Sequence, residues 1–312
     1  MSGAREKSEG MPRQVRRRPE RAELGRVGEL GAESVLAALQ GVSAGRIYDL
    51  DAGRFPDMHR WAGHPPFQLT TFRTPRGEAV EGDVDDVSGE NNRDGFRFVT
   101  ELMVSSMHIG THIDALCHIV RDGEGWFGGF APDEHLGDRG PTRCDASTIP
   151  PIIVNATLLD VAGHRGVDAL EGGEGIGWSE LMEVAAAQNT PLRQGEAVLV
   201  RTGAMSLWPD VDRYDRHAGA GINLDAATHL LSEHDVVLVG SDTPTVEQIP
   251  TASESHPQPV HEYLLRSNGV HLLEYAYLEE LAADRAYRFA FICLALKVEG
   301  ATASMVRPIA IT

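Results

Sequence analysis

Three histidines and one aspartate stand together in the eleven-residue run His108-Ile-Gly-Thr-His112-Ile-Asp114-Ala-Leu-Cys-His118. Neutral imidazole nitrogens and carboxylate oxygens are ligands for Zn²⁺, Mn²⁺ or Fe²⁺, and burying them side by side without a cation costs several kcal/mol per group. Four ligand-type side chains at this spacing point to a metal or catalytic site, although any one of these histidines alone reads as a satisfied polar residue in a turn. The run matches no His-Glu-x-x-His helix and no Cys-x-x-Cys pair.

The spacing constrains the elements that carry these residues. Gly110 and Thr111 are poor helix formers, and Asp114 shares a face with His112 only in extended or turning chain. We therefore read 108–114 as the end of a strand rolling through a glycine turn, with a helix starting near Asp114 that sets Asp114 and His118 one turn apart. Upstream, residues 96–107 alternate with strand periodicity and deliver His108. Downstream, Val270-His-Leu-Leu-Glu274 reads as a strand in which Glu274 shares a face with Val270 and Leu272. A carboxylate on that apolar face is costly unless it is paired or binds a metal. His271, pointing the other way, is expected at the surface, and so is His135.

Other strands are expected at Arg46–Leu50, at 152–160, 197–201 and 236–240, and in two closing segments, 288–298 and 306–311. Helices are expected from Ser179 and after a cap at Asn223, with a short one from His261 to Gly269. This alternation argues for α/β architecture. Residues 51–95 read as a long Gly- and Pro-punctuated loop. It carries Phe55, Trp61, Phe67, Phe72, His59 and His64, aromatic groups that either wall a pocket or anchor the loop.

With 312 residues the chain can bury a full core, and its net charge of −18 disfavours nucleic acid as a partner. The first thirty residues run against that trend, holding eight Lys/Arg against five Asp/Glu. We expect 1–45 to be an N-terminal leader, disordered at its start, ahead of one domain over 46–312. No apolar run is long enough to span a membrane and no secretion signal stands at the start, so a cytoplasmic location is expected. Only Cys117, Cys144 and Cys293 occur, without paired spacing, which fits a reducing compartment. Cys117, between Leu116 and His118, is expected to pack as a small hydrophobe.

The string H-x-G-T-H-x-D-x-x-x-H resembles the signature of the cyclase family of metal-dependent hydrolases, which includes kynurenine formamidase, isatin hydrolase and cyclic-imide hydrolases. The resemblance extends from Tyr48-Asp49-Leu50 through Val200-Arg-Thr-Gly203, Val239-Gly-Ser-Asp-Thr-Pro244 and Pro259-Val-His261 to Leu296-Lys-Val-Glu-Gly300 and Arg307-Pro-Ile-Ala310. It implies a swivelling β/α/β sandwich or barrel-like domain, assembled as a homodimer or homotetramer. It implies His108, His112, Asp114 and Glu274 as ligands of one or two Zn²⁺ or Mn²⁺ ions, with His118 and His261 as catalytic histidines. It also turns the loop aromatics Trp61 and Phe67 toward a small-molecule substrate. The expected reaction is hydrolysis of a non-peptide C–N bond in a small amide, cyclic amide or imide, or N-formyl arylamine. A biosynthetic cyclase or lactone hydrolase would use the same ligands, whereas a non-catalytic metal-binding protein would need a coordination sphere closed to water.

Overall fold

The computed structural model describes residues 20–81, 94–253 and 256–312. The basic run Arg16-Arg17-Arg18 lies outside the described residues. Among the described residues, nine strands form one curled, half-barrel sheet, and six others pair off in three two-stranded ribbons, two antiparallel and one parallel. The sheet strands are β1 (Ile47–Asp49), β4 (His112–Asp114), β7 (Ile152–Asp160), β9 (Ala197–Arg201), β11 (Leu238–Ser241), β12 (His271–Glu274), β13 (Arg288–Cys293), β14 (Ala303–Met305) and β15 (Ile309–Ile311). The ribbons are β2 (Gln68–Arg73) with β3 (Thr100–Val104), β5 (Leu136–Gly137) with β6 (Gly140–Pro141), and β8 (Gly175–Ile176) with β10 (Gly221–Ile222).

Across the large sheet the order is β1-β15-β13-β7-β9-β11-β12-β4-β14. The central β7, β9, β11 and β12 run parallel, and the strands on either side of them are antiparallel. Their sequences follow from that position. Ala197 to Arg201 are buried without a break, as are Leu238 to Ser241, because strands covered on both faces need apolar residues at every position. Helix Trp178–Ala187 buries Leu181, Val184 and Ala185, and helix Leu224–His234 buries Ala226, Ala227, Leu230 and Leu231. Asn223 caps the latter as expected, its side chain accepting from Ala226 N–H at 3.0 Å. The former starts one residue early, at Trp178, after Gly177 rather than a serine cap.

Four expectations are corrected. No helix begins at Asp114: the residue ends β4, held between β12 and β14, and the chain then turns so that His118 N–H donates to Ala115 O. Residues 96–107 yield a strand only over Thr100–Val104, and it pairs with β2 outside the large sheet. The 51–95 stretch is not all loop, since it contains β2 and the short helix Pro75–Glu81. His271 is buried rather than at the surface, because β12 is an inner strand, and its Nδ1–H donates to the Asp114 carbonyl at 2.7 Å.

Part of the segment expected as a leader packs on the body. Val27 and Ala38 are buried, and helix Ala32–Gln40 lies against β7 and β13. All three cysteines are free and buried, and burial pushes the Cys117 thiol well up, as for an inert packing residue. Among the described residues no helix is long and apolar enough to cross a membrane.

Candidate metal centre

The site is assembled at the carboxyl end of β12 and along β4. His112 stands directly opposite Glu274 in the antiparallel β4–β12 pair, and Asp114, two residues on, shares the face of His112. His112 Nε2 lies 3.2 Å from Glu274 Oε2 and 3.5 Å from Asp114 Oδ1. The intervening Ile113 pairs with Leu273 and faces the core, so alternation alone separates polar site from apolar interior.

Gly110 and Thr111 make this possible. Gly110 adopts φ +57°, and a Cβ there would meet Gly53 O at 3.0 Å and Met58 at 3.1 Å. Its carbonyl accepts His112 Nδ1–H at 2.8 Å, which leaves Nε2 facing the carboxylates. Thr111 Oγ1 donates to Tyr275 O at 2.7 Å and accepts from Ala52 N–H at 2.8 Å, tying the turn to the strand end that carries Glu274.

His108 Nδ1 lies 3.0 Å from Asp114 Oδ1, with Nε2 paired to Thr302 Oγ1 at 2.9 Å. The His118 ring centroid is 4.1 Å from that of His108. His261 comes from the short helix Pro259–His261, its Nε2 at 3.2 Å from Glu274 Oε1 and 3.8 Å from Asp114 Oδ2. All six expected histidine and carboxylate residues are therefore brought together. Two triads have ligand atoms within 4.8 Å of one another, His108–Asp114–His118 and Asp114–His261–Glu274, and they share Asp114.

Glu247 is the member that sequence reasoning missed. It is buried, its Oε1 receives both the ring Nδ1–H and the backbone N–H of His261, and its Oε2 accepts from Val260 N–H at 3.1 Å. It thereby caps the short helix and turns His261 Nε2 into the site, the carboxylate–histidine arrangement of metal centres. No spacing could have flagged it, because it stands fourteen residues before His261 across a long loop.

Asp114 Oδ1, Asp114 Oδ2 and His112 Nε2 are buried and find no hydrogen-bond partner, because the neighbouring imidazoles approach without hydrogen-bond alignment. Polar atoms gathered this way are expensive to bury without a positive charge among them, and a divalent cation is what would satisfy them. The donor set thus fits a metal. The charges agree: burial works against a charged His112, but Asp114 and Glu274 outweigh it and hold its proton up to about 10. His261 is likewise opposed by burial yet held up to about 10 by Glu247 and Glu274. His118 goes the other way, pushed by burial down to about 3, and stays a neutral base.

The cluster opens onto a cavity of about 130 Å³. Trp61, Ile119, Pro244 and Tyr275 give it apolar walls, and His64, His118 and Gln258 line it with polar groups. Phe67 is placed elsewhere. It is buried with Met58, Ile109 and Met305 and anchors the loop beneath the site.

A family model described as Cyclase matches residues 48–248. The chain belongs to the cyclase family. Solved structures agree on the fold. The crystal structure of a novel cyclase superposes with a TM-score of 0.79 at 24% identity, covering 93% of this chain and 96% of that one. Isatin hydrolase A from Labrenzia aggregata, bound to benzyl benzoate, gives 0.60 at 18% identity, with 89% and 99% covered. A potential metal-dependent hydrolase with cyclase activity gives 0.53 at 19%, with 86% and 98% covered. No curated protein matches this cyclase-family chain.

Proposed function

We propose that this cyclase-family protein is a metal-dependent hydrolase that cleaves a non-peptide C–N bond in a small amide, cyclic amide or imide, or N-formyl arylamine. The observation that carries this is Asp114, a buried carboxylate with both oxygens unpartnered, set among histidines behind a cavity that His108, His118, His261 and Glu274 line. His108, His112, Asp114 and Glu274 would hold Zn²⁺ or Mn²⁺, and the shared position of Asp114 between two triads would allow a second ion. A divalent ion bound there supplies Lewis acidity toward a carbonyl and acidifies water.

The protein's own groups do the rest. His118, lining the cavity beside His108, takes a proton from the attacking water and returns it to the departing nitrogen. Glu247 fixes the tautomer of His261 so that Nε2 faces the reacting groups. Trp61 and Tyr275 offer ring faces to a planar substrate, and a cavity of this size admits a small molecule rather than a polymer. A homodimer or homotetramer belongs to the same proposal and is read directly by light scattering.

The deciding experiment is metal analysis of the purified protein together with a hydrolysis screen of isatin, N-formylkynurenine, succinimide and simple lactones, with and without chelator. Chelator-sensitive opening of an amide or imide is the expected result. Turnover confined to lactones, or stoichiometric metal with no hydrolysis at all, would move the assignment to a biosynthetic cyclase or lactone hydrolase.

A further inference from the structure

His64 lines the cavity yet has no place in the cluster of ligands. Its ring stacks on that of His108, the centroids 4.9 Å apart and the planes within 4° of parallel. A parallel stack leaves the ring nitrogens pointing outward in their own plane rather than at the ligand below. Among the described residues its side chain has no hydrogen-bond partner, although its backbone N–H donates to Trp61 O at 3.0 Å and closes a turn. A neutral imidazole presents one donor and one acceptor, and a half-buried one with both unspent is poised for a ligand.

The turn that carries it is built for placement. His59 Nδ1 is hydrogen-bonded to the Tyr275 hydroxyl at 2.9 Å, and its Nε2 lies 3.2 Å from Asp215 Oδ1. His59 thus fastens this turn to the cavity wall formed by Tyr275. Trp61 folds back over Gly63, where a Cβ would stand 1.7 Å from the indole ring, and its centroid is 5.5 Å from that of His64. The indole and the free imidazole are therefore presented together, one apolar and one polar, at the cavity mouth.

We propose that His64 is a specificity-determining residue, hydrogen-bonding a second polar group of the substrate away from the bond that is cleaved. It favours small cyclic amides with two carbonyl oxygens over those with one. His59 acts through it as a positioning residue. This rests on the reading above that the cavity takes a small amide, but its test does not depend on turnover.

The test compares isatin with oxindole, the same bicycle with one carbonyl fewer, on the metal-loaded full chain. Affinity is measured by calorimetry, or as KM if isatin is opened. Wild type is expected to prefer isatin, and His64→Phe, which keeps the stack but removes the donor, should lower isatin affinity about three- to tenfold. Oxindole affinity and metal content should stay within about twofold, the room a lost neutral hydrogen bond leaves elsewhere. His64→Asn should recover part of the preference, and His59→Phe should lose it without loss of metal. Equal loss for both ligands, loss of metal in His64→Phe, an unchanged preference, or failure of wild type to bind either ligand would overturn the proposal. Binding of isatin without ring opening would count against the hydrolase assignment alone and leave the His64 comparison decisive.

Discussion

Strands β3 and β4 stand eight residues apart and have opposite fates. β4 lies inside the nine-stranded sheet with His112, Ile113 and Asp114 all buried, while β3 pairs only with β2 and leaves Leu102, Met103 and Val104 about half exposed. Polar residues are buried in one and apolar residues exposed in the other. The difference is what each strand pairs with. Partners on both edges, and a cation to satisfy the carboxylates, make a polar interior tolerable. A two-stranded ribbon has no second layer of its own to cover its side chains.

The largest expected effect separates residues within the buried region. His112→Ala should abolish activity and lower bound metal, whereas His118→Ala should keep its metal and lose turnover by about 10²- to 10⁴-fold. Metal content and kcat measured side by side decide it, and equal metal loss in both variants would remove the proton-handling role from His118. Next in size is Glu247→Gln, which keeps the shape but weakens the hold on His261. We expect about a 10- to 100-fold loss in metal affinity or activity, read by competition with a chromogenic chelator.

Protons and metal compete for the same atoms. His112 and His261 are held protonated up to about 10, above the ordinary value of 6.5. Their contribution to the stability of metal-free protein is fully present below pH 6.5 and is lost as the pH rises through about 10. Metal uptake should strengthen over the same interval, because those protons must leave first. Urea midpoints of stripped and reloaded protein at two pH values should therefore diverge on the alkaline side. Parallel curves would mean that the histidines do not carry the protons.

The smallest effect is expected on the ribbon. Leu102→Ser or Phe72→Ser should shift stability by no more than about 0.5 kcal/mol if those side chains meet only water. A drop of several degrees in Tm, or a change of molecular mass in solution, would show that the ribbon's apolar face is covered by a second copy.

Legibility divides along the same line. Alternation in 108–114 and 270–274 is local, so the shared face of His112 and Asp114 and the inward Glu274 could be read from residue spacing. The partner of each strand is not local. His271 was expected at the surface because an alternating strand ordinarily has one wet face, yet β12 sits between β11 and β4. A helix at Asp114 was the wrong reading for the same reason, since β12 and β14 extend that residue by pairing with it. Glu247 and the anchoring place of Phe67 depend on loops that no periodicity describes.

The register of β4 against β12 has one more consequence. Because side chains alternate, a slip of β4 by one residue would bring Ile113 to the cavity and send both His112 and Asp114 into the apolar core, while β12, paired on its other edge with β11, would keep Glu274 in place. The two β4 ligands are therefore kept or lost together. A misaligned chain lacks both of them at once, so bound metal per polypeptide is a census of molecules whose sheet closed in the right alignment.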